Sequence, residues 1–158
     1  MTMASRPESP RLYLVTPPIL DPGAIADDLA AALNAAEIAA VLVRLAPGEE
    51  RDLIERIAAL RILIQSNGAA LLLDGHAGLV AATQADGAQL NGADALKAAT
   101  PGLKPNYIAG CGSLASRHDA MLAGEAGADY VMFGEPDAGE HRPRLEAILE
   151  RVAWWAEV

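Results

Sequence analysis

Apolar residues fall into two patterns that alternate along the chain. Short continuous runs occur at residues 12–16 (LYLVT), 38–45 (IAAVLVRL), 69–74 (AALLLD), 88–90 (AQL), 107–111 (YIAGC) and 130–133 (YVMF). Such runs predict strands covered on both faces, because a one-sided strand would alternate apolar and polar positions. Between them, apolar residues recur at helical spacing. Ile25, Leu29, Ala32 and Leu33 form one stripe, and Leu53, Ile54, Ile57, Leu60 and Ile64 a second. Residues 118–126 carry a third helix, and Leu145, Ile148, Leu149, Val152 and Trp155 mark the last. Shorter helices are expected over 77–84 and over 93–99, the latter broken by Pro101.

Punctuation between the runs supports this division. Pro17 and Pro18 cannot donate to a ladder and end the first strand. Asp21 and Pro22 stand where an N-cap and a first-turn proline belong, and Glu49, Glu50 and Asp52 favour the N-terminal end of the second long helix. The stretch 127–136 (GADYVMFGEP) reads as a strand leaving a helix and stopping at Gly134. Glu135 and Asp137 then lie at its carboxyl end, where parallel sheets place their ligands. Residues 85–92 (ADGAQLNG) repeat the same grammar.

Six βα units in succession imply parallel strands joined by right-handed crossovers. An open doubly wound sheet and a barrel both satisfy this, but no G-x-G-x-x-G follows the first strand, so a TIM-barrel-type βα repeat is preferred. A full barrel has eight units, and the last two are absent from this chain. Strands one and six are then expected to be unpaired edges with the interior side chains exposed. The expectation is that the natural chain continues beyond Val158 or that another chain covers the gap; an open six-stranded sheet is the alternative. Residues 1–10 (MTMASRPESP) are polar and read as a disordered tail, leaving 11–158 as a single domain.

Composition narrows the function classes. The 52% hydrophobic content is rich in alanine while aromatic residues are 4%, which suits helices packed closely on strands. A formal net charge of -9 without clustered Lys and Arg excludes a nucleic-acid surface. No apolar run approaches the ~18 residues of a membrane span. The single Cys111 cannot form an internal disulfide, and the first ten residues lack a signal-peptide core, so a cytoplasmic location is expected.

Five short segments, LYLVTP at 12–17, VLVRL at 41–45, LLLD at 71–74, ADGAQLNGAD at 85–94 and GADYVMFG at 127–134, resemble the thiamine phosphate synthase and thiazole tautomerase superfamily in order and spacing. The resemblance implies a TIM barrel that joins a pyrimidine diphosphate to a thiazole phosphate, with Mg²⁺ and release of pyrophosphate. It also implies roles. Arg44 matches an arginine that forks onto diphosphate oxygens. Asp74 and Asp94 match the carboxylates that hold Mg²⁺. Cys111 or Ser113, depending on register, matches a serine near the pyrimidine, and Thr16, Gln89, Asn91 and Gly134 fall at substrate-binding positions.

The chain departs from the family's pattern at Leu42, Ala46 and Leu73, where polar residues are expected, and no histidine follows Cys111 or Ser113 at the family's spacing. Three lost charged contacts are worth roughly 4 to 9 kcal/mol of transition-state binding. Two further readings therefore stand beside the transferase: a diverged, non-catalytic barrel with a small-molecule or interaction role, and a thiazole tautomerase-like isomerase with His118 or His76 as its base. Trp154 and Trp155 are adjacent, so one is expected to face the barrel and the other a missing segment or a second subunit of a homo-oligomer.

Overall fold

The computed structural model describes residues 9–135 and 141–158; the sequence expectations for residues 1–8 and for Asp137 lie outside them. Six strands, β1 (Leu12–Val15), β2 (Ile38–Val43), β3 (Ala70–Asp74), β4 (Gly87–Asn91), β5 (Ile108–Gly112) and β6 (Tyr130–Val131), form one parallel sheet in sequential order. Helices α1 (Gly23–Ala35), α2 (Glu50–Ser66), α3 (Val80–Thr83), α4 (Ala93–Leu103), α5 (Arg117–Glu125) and α6 (Leu145–Glu157) alternate with them. The sheet curls into a partial barrel.

Strand alternation sorts the core into two layers. Val41, Val43, Leu71, Leu73, Ala88, Leu90, Ala109 and Cys111 meet Leu29, Leu33, Ile57, Leu60, Ile64 and Leu96 of the helices in one large apolar cluster. The opposite face gives a small interior cluster of Ala40, Leu42 and Leu72, flanked by Tyr13, Ala70, Ile108 and Tyr130. Both faces of β2, β3 and β4 are thus covered, as their continuous apolar runs require.

Three expectations need correction. Pro101 does not end its helix, for α4 runs on to Leu103. The proline sits in the last turn, and the buried Leu103 anchors that turn against the core. Strand β6 pairs only through Tyr130 and Val131, and residues 130–133 are all half-buried, because among the described residues no strand covers its outer edge. The two tryptophans do not divide between inside and outside. Trp155 packs edge-on against Phe133 at 6.4 Å and Trp154 lies beneath the Arg117 guanidinium at 5.2 Å.

Capping explains two helix starts. The Asp21 carboxylate accepts the Gly23 N–H at 2.9 Å, with Pro22 already helical at φ -59°. Ser116 and Asp119 form a reciprocal capping box at α5, which starts one residue before the position expected from the sequence.

Candidate functional site

The concave face opens at the carboxyl ends of the strands, and its floor is polar. Gln89 of β4 points inward and is fully buried. The hydroxyls of Tyr13 and Tyr130 both reach its Oε1, at 3.1 and 3.0 Å, and lie 2.7 Å from each other. Two hydroxyl protons are therefore shared among three contacts. The rings meet edge-on with centroids 5.6 Å apart. Tyr130 fits only because residue 110 is glycine: a Cβ there would lie 2.1 Å from the ring Cζ. Burial raises the Tyr13 phenol to about 12, with the carboxylates of Asp74 and Glu135 adding to the rise and the Tyr130 hydrogen bond opposing it. Burial, chiefly, pushes Tyr130 still higher, so both hydroxyls remain donors at neutral pH.

With Oε1 turned to the tyrosines, the Gln89 amide presents Nε2 to the Glu135 carboxylate at 3.0 Å. The other Glu135 oxygen accepts the Ser113 N–H. Gly112 leaves room for this approach, since a Cβ at that position would lie 2.3 Å from Oε2. Glu135 is half-buried, and its carboxyl is raised by burial and by Asp74, against the lowering effect of the Ser113 N–H, Arg44 and the Gln89 amide.

Around this floor, Arg44 Nε lies 3.4 Å from Asp74 Oδ2 across the ends of β2 and β3, and the Ser113 hydroxyl lies 3.3 Å from Asn91 Oδ1 across β4 and β5. These four residues, with Val15, Leu42, Met132, Phe133, Gly134, Glu135 and Arg142, line a cavity of about 710 Å³. A second cavity of about 590 Å³ lies toward α6, and Ser113, Gly134 and Glu135 border both. Two cationic and two anionic side chains thus face one polar mouth: Arg44 and Arg142, Asp74 and Glu135.

The structure gathers Arg44, Asp74, Asn91, Ser113 and Gly134 at this mouth, with Gln89 beneath. Three other residues singled out from the sequence lie elsewhere. Cys111 alternates to the helix side, where it is fully buried with its thiol directed at the Gly112 carbonyl, and burial raises its pKa, which disfavours a thiolate. Ser113 is the member of that pair at the mouth. Thr16 is buried, and its hydroxyl accepts the Arg44 N–H at 3.0 Å, so it ties β1 to β2 and does not line the cavity. Asp94 is exposed in the first turn of α4, outside the cavity lining. Neither His76 nor His118, the two bases considered for proton transfer, lines either cavity.

Tyr13, Tyr130, Arg142 and the role of Glu135 were not singled out from the sequence. The signal for the tyrosines was their matching place on the interior alternation of the first and last strands, which shows only once the strand registers are known.

Comparison with known proteins points to one family. Residues 12–158 match the family described as thiamine monophosphate synthase. A thiamine-phosphate synthase of Rhodospirillum centenum is 38% identical over 155 residues, covering 94% of this chain and 72% of the relative. One from Hyphomonas neptunium is 37% identical over 139 residues, covering 84% and 62%. Among solved structures, a thiamine phosphate pyrophosphorylase from Pyrococcus furiosus superposes with a TM-score of 0.73 at 26% identity, over 90% of this chain and 69% of that one.

Proposed function

This chain belongs to the thiamine monophosphate synthase family, and from that premise we propose that its mouth is a transferase site which binds a pyrimidine diphosphate and joins the pyrimidine to a thiazole phosphate with release of pyrophosphate. The observation that carries this reading is the Arg44–Asp74 pair, a guanidinium and a carboxylate 3.4 Å apart on the rim of a 710 Å³ cavity at the strand ends.

In this reaction the carbon–oxygen bond to the diphosphate breaks and negative charge grows on the leaving group. A fixed guanidinium beside that group is stronger in the transition state than in the ground state. Arg44 is fixed on two sides, by its backbone bond to Thr16 and by Asp74. The apolar lining residues Leu42, Met132 and Phe133 offer the ring a surface to pack on. Asn91 and Ser113 offer amide and hydroxyl donors opposite Arg44.

Mg²⁺ prefers one or two carboxylates completed by water and substrate phosphate, and Asp74 at the cavity wall fits that donor chemistry. Bound there, the ion would supply charge neutralisation to the leaving pyrophosphate. Among the described residues no helix is long and apolar enough to cross a membrane. A reducing cytoplasm suits the free, buried Cys111.

The test is calorimetric titration of the pyrimidine diphosphate with and without Mg²⁺, followed by turnover with the thiazole phosphate. Mg²⁺-dependent binding that falls at least tenfold in Arg44→Ala and Asp74→Ala is the expected result. Absence of binding at millimolar ligand would remove the transferase reading and leave the non-catalytic barrel.

A further inference from the structure

The Arg44 side of the mouth suits an anion, yet the facing wall carries a carboxyl group that a diphosphate would avoid. Glu135 is nonetheless held with care. One oxygen takes the Gln89 amide at 3.0 Å, and the other takes the Ser113 backbone N–H. The Gln89 amide is itself pinned from below by two tyrosine hydroxyls that occupy its oxygen. With Oε1 committed to donors, Nε2 has to point upward, so the relay sets both the place of the Glu135 carboxyl and its plane. A side chain needed only for solubility would not be tied at both oxygens to a fully buried amide. Each carboxylate oxygen has two acceptor positions, and one on each oxygen remains free of the contacts described here. Glu135 also borders both cavities.

The geometry points to Glu135 as the specificity-determining residue of the mouth, its carboxyl group pairing with the exocyclic amine and adjacent ring nitrogen of an aminopyrimidine while Arg44 takes the diphosphate. The inference rests on the transferase reading above and adds what distinguishes the two ends of the substrate. An amine donates and its neighbouring ring nitrogen accepts, so the complementary partner is a planar group offering one acceptor and one donor. A carboxyl oxygen accepts from the amine in either protonation state, and a proton on the other oxygen, once bound, serves the ring nitrogen. Burial raises the group's proton affinity, against the Ser113 N–H, with Asp74 adding to the rise and Arg44 and the Gln89 amide opposing it. Gln89 is then a positioning residue, acting on substrate only through Glu135.

Specificity is read as a ratio of affinities. Two probes without diphosphate are titrated into the full chain: the aminopyrimidine alcohol and the same alcohol lacking the amine. Wild type is expected to prefer the amine-bearing probe at least tenfold. Glu135→Ala is expected to bring that ratio to within twofold of one. Glu135→Gln, which keeps the volume, is expected to lose it as well. Its amide nitrogen has to face either the Gln89 amine or the Ser113 N–H, donor against donor. A ratio unchanged in either folded variant would overturn the assignment. Inorganic pyrophosphate with Mg²⁺ is titrated in parallel, with affinity expected to hold or tighten in both variants. Pyrophosphate binding by wild type without discrimination between the alcohols would overturn the role of Glu135 and leave the transferase reading intact. Discrimination without pyrophosphate binding would support Glu135 and overturn the transferase reading.

Discussion

The hydroxyl oxygens of Tyr13 and Tyr130 lie 2.7 Å apart, although 117 residues separate them and their strands form opposite edges of the sheet. Among the described residues β1 and β6 share no backbone ladder. The interior between them is closed instead by side chains: two tyrosine rings, an amide oxygen and the carboxyl group above. This is why Leu42, Leu72 and Gln89 are buried and the interior is not laid open, as six strands alone would suggest.

Removing either hydroxyl should therefore loosen the curl. Tyr13→Phe and Tyr130→Phe are each expected to cost about 1 kcal/mol, and the double variant less than the sum, because the hydroxyls share partners. Gly110→Ala should cost about 1 to 3 kcal/mol by displacing the Tyr130 ring. Denaturant unfolding of the four variants, read at constant slope, checks these values.

Glu135 should titrate above the ordinary glutamate value of 4.5, with its neighbours moving it predictably. Arg44→Ala should raise it further and Asp74→Asn should lower it, both followed by carboxyl-carbon NMR. A raised folded value means that the folded state holds the proton more tightly. The contribution of Glu135 to stability is then complete below 4.5 and is lost as pH rises through the folded value.

Asp129 behaves in the opposite sense. Burial would raise its carboxyl, but the Lys104 hydrogen bond and charge and the Ala109 N–H at 2.8 Å together hold it below the usual aspartate range. Its contribution is present above the unfolded value of 3.8 and is lost as pH falls through the folded one. Asp129→Asn should lower the melting temperature at pH 7 and narrow the gap between pH 7 and pH 2, where the native carboxylate is also being neutralised. Thermal scans at the two pH values test this.

Cys111 should resist a thiol reagent in the native state and react only on unfolding, since its thiol is fully buried on the helix side of β5. Labelling rates across a denaturant series check this. Rapid labelling at zero denaturant would contradict the placement. Cys111→Ala should leave ligand binding within about twofold while costing about 1 kcal/mol of packing.

Much of the fold was legible before any coordinates. Strand and helix order follow from run length and spacing, as with the apolar run 38–45 for β2 and the stripe Leu53, Ile57, Leu60, Ile64 for α2, because burial on both faces and burial on one face leave different periods. Arg44, Asp74, Asn91 and Ser113 were singled out through the family resemblance, and they meet at one mouth because each stands at or just beyond a strand's carboxyl end and parallel connectivity brings those ends to one side. Strand alternation alone could not separate Cys111 from Ser113, which are two positions apart; Cys111 faces the helices within β5, whereas Ser113 lies just beyond the strand, where a backbone φ of 54° turns it to the mouth.

The amino-acid sequence by itself determined the repeat, the direction of the strands and the end of the sheet that carries chemistry, since these depend on local periodicity and on handed connections between neighbours. The tertiary structure alone decided how far the sheet curls, that Tyr13 meets Tyr130, and that Gln89 turns its amide to hold Glu135 over the mouth. Those relations join residues of different βα units, 41 to 117 positions apart. They depend on side-chain reach and on space left by Gly110 and Gly112, neither of which has a periodic trace along the chain.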